Sequence, residues 1–273
     1  MNSLPLPVEK PIVFVTSFKR DMYSATGVHL LDSFSKYCEG MLLMACLEDF
    51  GERPPSYLDQ HIVLADMTEH PLLQDWFSAN ADIIPQHLGG QAQPCNCDVV
   101  GFGIDEHHVD GCRNAWYNRN AARWYRKAVA LHIAAAQFPK GRIVWLDSDC
   151  RFTKPLNAET ALTWFGEGAG FYCKSPMRKV LESGVFGLNL GAGGLEFLSD
   201  LLRRYSSGAF RDDPRWDDGY QIQSVIDQRP DLNMIDLAPH ALSYRAEVIA
   251  TSPLGEYLEH YRGVHGPVLH LMT

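Results

Sequence analysis

The sequence lacks any apolar run approaching the roughly 20 residues that a membrane-spanning helix needs, so we expect no transmembrane segment. It contains no internal repeat and no low-complexity segment. It also lacks an excess of positive charge, because 24 Lys and Arg stand against 33 Asp and Glu, for a formal net charge of −9. This balance does not favour nucleic acid or an anionic membrane as a partner, although a local basic groove would remain compatible with nucleic acid.

Cysteine use gives no indication of a disulfide framework. The chain has 7 cysteines, an odd number, in 273 residues. Reduced thiols are the simplest interpretation, and the N-terminal stretch MNSLPLPVEKP lacks the apolar core of a signal peptide, so we expect a cytoplasmic protein. Hydrophobic residues make up 46% and charged residues 21%, which suits a sizeable core. The length then predicts a single domain over residues 1–273.

Short apolar runs alternate with helical patterns along the chain, which predicts an α/β fold. A segment rich in Gly, Pro, Cys and His, residues 85–112, is predicted to be a long loop or small insertion. Strands are predicted at 12–18, 41–49 and 61–67, and helices at 25–37 and 114–138, the last ended by Pro139-Lys140-Gly141.

A further predicted strand, RIVWL, runs directly into Asp147-Ser148-Asp149. In parallel α/β sheets, ligands gather at the carboxyl ends of strands. Two neighbouring carboxylates repel each other unless a cation or a shared proton relieves them. A hard divalent ion, Mn²⁺ or Mg²⁺, prefers oxygen ligands of this type. A solvated turn at the end of the strand is the alternative, because D-x-D is common by chance.

The surroundings of the D-x-D sequence strengthen the metal interpretation. A predicted helix bearing basic residues precedes the strand, and FTKPL follows it. This arrangement resembles the metal-dependent glycosyltransferases of the GT-A fold, including those of bacteria and phages, over about residues 114–265. The resemblance implies a Rossmann-type mixed sheet flanked by helices. It also implies a nucleotide-binding half at about 12–150, and an acceptor half with a C-terminal metal-site tail at about 151–273.

The resemblance implies a metal site formed by two distant parts of the chain. Asp149 would hold Mn²⁺ or Mg²⁺, and Asp147 would contact the ion or the nucleotide-sugar donor. His260, in the sequence HYRG, would be a third ligand, with His265 and His270 as competing candidates. The family's later lysine is absent here. Its candidate replacements at the donor phosphates are Arg262, which precedes Gly263, and His265.

The resemblance also implies where the donor lies. Thr16, Ser17 and Phe18, at the end of the first predicted strand, would meet the nucleoside base. Asn189, within ESGVFGLNLGAGG, would face the sugar; the alternative is an ordinary strand and turn. A pyrophosphate contact is expected from the basic helix, for which a solvated basic face is the alternative; its residues are Arg123, Arg126 and Lys127.

A second acidic motif occurs in RWDDGYQIQSVI, where Asp217 and Asp218 precede a helical pattern. Favourable charge at a helix N-terminus, worth up to about 1 kcal/mol, is one explanation. The resemblance implies another, in which one acid points into the acceptor site. It would remove the acceptor proton in an inverting enzyme or position the sugar in a retaining one. We favour Asp218 for this role over Asp217.

Three functions remain open at this stage. The leading hypothesis is transfer of a sugar, from a UDP-sugar or similar donor, to a hydroxyl acceptor such as a glycan, a lipid-linked sugar, a protein or a modified DNA base. A nucleotidyltransferase is the alternative, although TSFKRDMYSATG is a poor version of its glycine-rich basic loop. The third is a glycan-binding protein with a degenerate transferase fold. A zinc site is a separate possibility, with Cys95, Cys97, His107, His108 and Cys112 as candidate ligands.

Overall fold

The structure is a computed structural model that describes residues 11–50, 59–83, 120–241 and 248–261. The predicted loop or insertion at 85–112, with its candidate zinc ligands, lies outside these ranges. Among the helices of the described ranges, none has both the length and the apolar character that a membrane span needs.

The strands of the described ranges include those predicted from apolar runs, together with several strands that were not predicted. The predictions at 12–18, 41–49 and 61–67 are confirmed as strands with slightly different ends. In chain order they are β1 (Ile12–Lys19), β2 (Cys38–Glu39), β3 (Leu42–Glu48), β4 (Ile62–Asp66), β5 (Arg142–Leu146), β6 (Cys150–Phe152), β7 (Leu156–Asn157), β8 (Gly170–Cys173), β9 (Glu182–Asn189), β10 (Met234–Asp236) and β11 (Leu258–His260).

The described helices also match the predicted pattern. Short helical turns, Arg20–Met22 and Tyr23–Gly27, precede the first of them. The predicted helix at 114–138 is confirmed from Ala121 onward, since 111–119 lies outside the description. The longer helices are α1 (Val28–Tyr37), α2 (Pro71–Ala79), α3 (Ala121–Gln137), α4 (Ala158–Thr163), α5 (Leu195–Ser206) and α6 (Asp218–Gln228).

A mixed seven-stranded sheet forms the centre, in the order β10-β8-β9-β5-β1-β3-β4. Strands β4, β3, β1 and β5 are parallel to one another, whereas β9 runs antiparallel to both β5 and β8. One core packs α2, α3, α5 and α6 against one face of this sheet, and a second core packs α1 and α4 against the other. The predicted α/β class, a mixed sheet flanked by helices, is therefore confirmed.

The periodicity of β1 shows how this layering follows from the sequence. Side chains alternate between the two faces of a strand. Val13 and Val15 belong to the core that contains α3, whereas Phe14 and Phe18 belong to the core that contains α1. Because both faces are covered, the first half of this strand, Ile12 to Val15, is apolar at every position, as parallel strands usually are.

Outside the main sheet, a two-stranded pairing brings a distant segment to the end of β5. Strand β11 pairs antiparallel with β6, so that His260 lies opposite Cys150. The amide of Tyr261 continues this contact by donating to the carbonyl of Asp149 at 3.0 Å. Strand pairing thus fixes His260 beside the D-x-D sequence.

Candidate functional site

Polar residues collect at one edge of the sheet, where the parallel strands β1, β3 and β5 all end. This edge carries Thr16 to Phe18, Glu48 and the D-x-D sequence. Strand β9 runs the other way, so its first residues, Glu182 and Ser183, lie at the same edge. Such an edge is where α/β sheets bind ligands.

The D-x-D turn is held by several hydrogen bonds. The amide of Asp147 donates to the carbonyl of Gly184 at 2.8 Å, and the amide of Cys150 donates back to the carbonyl of Asp147 at 3.0 Å. The indole of Trp145 donates to Asp147 Oδ1 at 2.7 Å. These bonds fix the direction of Asp147, so this segment is not a freely solvated turn.

His260 approaches both aspartates. Its Nε2 lies 3.1 Å from Asp149 Oδ1 and 3.8 Å from Asp147 Oδ2, and its side chain is only 4% exposed. Burial disfavours the imidazolium, but the hydrogen bond to Asp149 and the charge of Asp147 outweigh it, so the pKa of His260 is raised. The side chains of Asp147, Asp149 and His260, for which the resemblance implied a metal site, therefore lie close together.

These atoms fit a divalent cation. Two neighbouring ligand atoms on an octahedral ion with bonds of about 2.1 Å stand about 3 Å apart, which matches the separation of His260 Nε2 and Asp149 Oδ1. Asp149 Oδ1 is buried, and His260 Nε2 is its close polar neighbour. The thiol of Cys150 lies in the same group, but burial raises its pKa well above the usual value and keeps it neutral. Carboxylates and an imidazole are donors that suit Mn²⁺ or Mg²⁺.

A buried lysine joins the D-x-D sequence to the second acidic motif. Lys127 Nζ lies 3.1 Å from Asp147 Oδ1, forms an ion pair with Asp218, and donates to the carbonyl of Ser183 at 2.8 Å. Its side chain is 5% exposed. Burial favours the neutral amine, but Asp147 and Asp218 outweigh this and raise the pKa of Lys127. Burial likewise opposes ionisation of Asp147, yet Lys127 and His260 lower its pKa to about 2.

The two acids of the second motif have different partners. Asp217 is the N-cap of α6, accepts from the amide of Tyr220, and pairs with Arg215 at 2.7 Å. Burial raises the pKa of Asp217, although Arg215 opposes that effect. Asp218 instead faces Lys127 and accepts from the hydroxyl of Ser183 at 3.0 Å. The helix-end explanation thus describes Asp217, whereas Asp218 lies beside Lys127 and Ser183.

The other basic residues of α3 are placed differently. Arg126 pairs with the buried Glu48 at the end of β3 and stacks over the ring of Phe77. Arg123 is exposed, with its guanidinium 4.8 Å from the ring centre of Trp124. The basic face of this helix is therefore not uniformly solvated, because Lys127 and Arg126 both bind carboxylates.

Three aromatic rings, those of Phe18, Tyr23 and Phe50, lie together at the end of β1, and only Phe18 was predicted from the sequence. Phe18 has its ring centre 6.0 Å from Tyr23 and 6.2 Å from Phe50. Thr16 is fully buried, and Ser17 is half-buried. Ser148, the central residue of D-x-D, hydrogen-bonds with Thr26 at 3.1 Å, which ties the D-x-D turn to the segment between β1 and α1.

Asn189 is not at this edge, which does not fit the prediction that it faces the donor sugar. It ends β9 opposite Arg142, the first residue of β5, and its side-chain amide donates to the carbonyl of Gly168 at 3.4 Å. Because β9 is antiparallel to β5, its end lies at the opposite edge of the sheet from Asp147. The beginning of β9 reaches the site instead. Arg262, Gly263, His265 and His270 lie outside the described residues.

Gly184 was not singled out from the sequence, although the alternative interpretation of ESGVFGLNLGAGG as a strand and turn was a usable signal. A glycine in a strand interior often marks the close approach of another group. A Cβ atom at Gly184 would lie 2.4 Å from Cε1 of His260. The absent side chain therefore makes the space that the imidazole occupies.

Comparisons with known proteins find similar solved structures, including glycosyltransferases at low sequence identity. No family model and no curated protein matches the chain. Two structures of the glycosyltransferase GlyE from Streptococcus pneumoniae TIGR4 are 15% and 13% identical, with TM-scores of 0.41, and cover 83% and 84% of this chain. The chain spans only 45% of those GlyE chains. Mouse xyloside xylosyltransferase 1, apo form, is 13% identical with a TM-score of 0.45 and covers 84% of both chains.

Proposed function

We propose that the protein is a metal-dependent glycosyltransferase of the GT-A type that moves a sugar from a nucleotide-sugar, with UDP as the expected nucleotide, to a hydroxyl acceptor. One observation carries this proposal: Asp149 and His260 converge on a cation-sized point next to the Lys127–Asp218 pair. The arrangement supplies a metal site and a separate acid at one sheet edge.

The metal site consists of Asp149, His260 and Asp147. A Mn²⁺ or Mg²⁺ bound there would neutralise the charge on a departing nucleoside diphosphate. The protein contributes position, because strand pairing holds His260 and the Trp145 hydrogen bond holds Asp147. Side chains fixed before the substrate arrives need no reorganisation during the reaction.

The donor's nucleoside is proposed to bind at the end of β1. Tyr23 and Phe50, which are half-buried and pack against the buried Phe18, offer aromatic surface there, and stacking on such surface suits a nucleobase. Thr16 and Ser17 lie beside this group at the same edge. The phosphates would then extend toward the D-x-D turn, with Arg123, Arg262 and Gly263 as the proposed phosphate contacts.

Asp218 is proposed to act on the acceptor or the reacting sugar. Its carboxylate is held by Ser183 and Lys127, and its side chain is 4% exposed. An acid held in one direction is suited to orient a hydroxyl or to accept its proton. The stereochemical outcome depends on which of these it does.

The proposal is tested by measuring how UDP and Mn²⁺ change the melting temperature. We expect a rise with both ligands together and little change with either alone, because a ligand that binds only the folded state stabilises it. A rise of the same size with UDP and a chelator would contradict a metal-dependent site. A screen of sugar nucleotides for Mn²⁺-dependent hydrolysis then identifies the donor.

Replacing Gly184 with alanine is expected to weaken Mn²⁺ binding by about 10-fold or more, the lower end of the loss caused by disturbing groups that support metal ligands. The new Cβ would collide with the ring of His260 and displace it. Isothermal titration of the metal measures the effect. Gly191→Ala is the matched control, because its Cβ would have its nearest neighbour at 3.8 Å. Equal affinities in both variants would show that the ring position is unimportant.

Replacing Asp218 with asparagine is expected to lower turnover by about 100-fold or more, a loss typical of a positioned acid or base. Donor affinity should change much less, because the proposed partner of Asp218 is the acceptor or sugar. Asp217→Asn should mainly lower stability, by about 1.5–3 kcal/mol, because asparagine can still cap α6 but loses the charge that pairs with Arg215. Turnover and denaturant unfolding separate the two effects. Similar small losses of turnover in both variants would assign both acids to the helix end.

A further inference from the structure

A buried acid lies behind the metal site and has no part in the roles described so far. Glu182, the first residue of β9, has a side chain that is 3% exposed. Arg178 donates to its Oε2 at 2.9 Å, and the amide of Gly184 donates to its Oε1 at 3.3 Å. These two contacts hold both oxygens of the carboxylate, with Oε1 on the side of Gly184.

His260 occupies the space beside Gly184, between β9 and the D-x-D turn. Its Nε2 faces Asp149, whereas its Nδ1 lies 4.0 Å from Glu182 Oε1. Nδ1 is buried and has no hydrogen-bond partner among the described residues. A buried ring nitrogen thus stands next to a buried carboxylate without a bond between them.

The chemistry of a histidine ligand explains this pairing. A neutral imidazole that binds a cation through Nε2 carries its proton on Nδ1. A buried N–H needs an acceptor, and ligating histidines almost always donate this second proton to a carboxylate, a carbonyl or water. A separation of 4.0 Å is longer than a hydrogen bond, but a ring movement of about 1 Å would bring the two atoms within range.

We propose that Glu182 is a positioning residue for the metal site, which accepts a hydrogen bond from His260 Nδ1 when Nε2 binds the cation. The bond would fix both the proton and the ring orientation of His260, and Arg178 would hold Glu182 in place. This inference rests on the metal site of the proposed function. It also accounts for Gly184, since only a residue without a side chain leaves room for the ring.

The first test measures Mn²⁺ affinity by electron paramagnetic resonance, without nucleotide, in the wild type, Glu182→Gln and His260→Ala. We expect Glu182→Gln to weaken binding by about 10- to 100-fold, as loss of such supporting carboxylates does. His260→Ala should weaken it at least as much. If Glu182→Gln binds like the wild type while His260→Ala loses affinity, the inference is overturned and the metal site stands. If His260→Ala also binds like the wild type, both the site and the inference are overturned.

The second test needs no variant. Nitrogen NMR of the wild-type protein with Mg²⁺ should show the His260 proton on Nδ1. A proton on Nε2 in the metal-bound protein would overturn the inference.

The double variant Arg178→Met/Glu182→Gln is the control for a loss of stability in Glu182→Gln. It leaves no guanidinium without its carboxylate partner beside the new amide. It should bind Mn²⁺ as weakly as Glu182→Gln, and recovery of wild-type affinity would assign the effect to Arg178 instead.

Discussion

Asp149→Asn is expected to abolish metal-dependent nucleotide binding and to reduce turnover by at least about 100-fold, because loss of residues that only support ligands already costs about 10- to 100-fold in metal affinity. Asp149 provides a buried oxygen that lies 3.1 Å from His260 Nε2. Asparagine keeps the volume and removes the charge. Circular dichroism should show the native fold, and titration with UDP and Mn²⁺ measures the loss.

Ser148→Ala is the matched control for Asp149→Asn. Ser148 lies in the same turn, but its hydroxyl hydrogen-bonds with Thr26 and does not face the proposed cation. We expect this variant to bind UDP and Mn²⁺ with nearly native affinity. If Asp149→Asn also keeps native affinity, the D-x-D sequence is a strand-end turn and the metal interpretation is wrong.

The positions of the strands and helices were predictable because burial on two faces leaves a strong apolar signal. The runs that became β1, β3 and β5 are almost entirely apolar, and α3 combines helix-forming residues with an apolar face. The convergence of His260 on Asp149 was predictable only from the resemblance to glycosyltransferases. Nothing in the local sequence of β11 indicates that it pairs with β6.

Strand direction was the part that the sequence did not reveal. An antiparallel β9 looks the same in sequence as a parallel one, so the segment ESGVFGLNLGAGG did not indicate that its first residues, Glu182 and Ser183, lie nearer the D-x-D turn than Asn189 does. The burial of Lys127 was equally hidden. A lysine within a helical pattern normally indicates a solvent-exposed position. Only the folded structure shows that Asp147 and Asp218, from two separate motifs, surround the ammonium of Lys127.

Replacing Lys127 with methionine is expected to lower the free energy of unfolding by about 3–5 kcal/mol, the usual cost of removing one partner from a buried ion pair. Methionine keeps most of the length but leaves the buried Asp218 and the partly exposed Asp147 with no cation between them. Urea unfolding without divalent metal measures the change. Turnover should fall as well, because Lys127 fixes the direction of both carboxylates.

Two further variants separate the effect of the Lys127 charge on stability from the effect of its packing. Arg203→Met removes an ion pair with Asp200 in which the arginine side chain is 73% exposed, and we expect a loss of about 1 kcal/mol or less. Adding Asp218→Asn to Lys127→Met removes one of the two unbalanced charges, so the double variant should be more stable than Lys127→Met alone. A double variant that is less stable would mean that Lys127 acts through packing against Trp145, whose ring centre lies 4.8 Å from its ammonium.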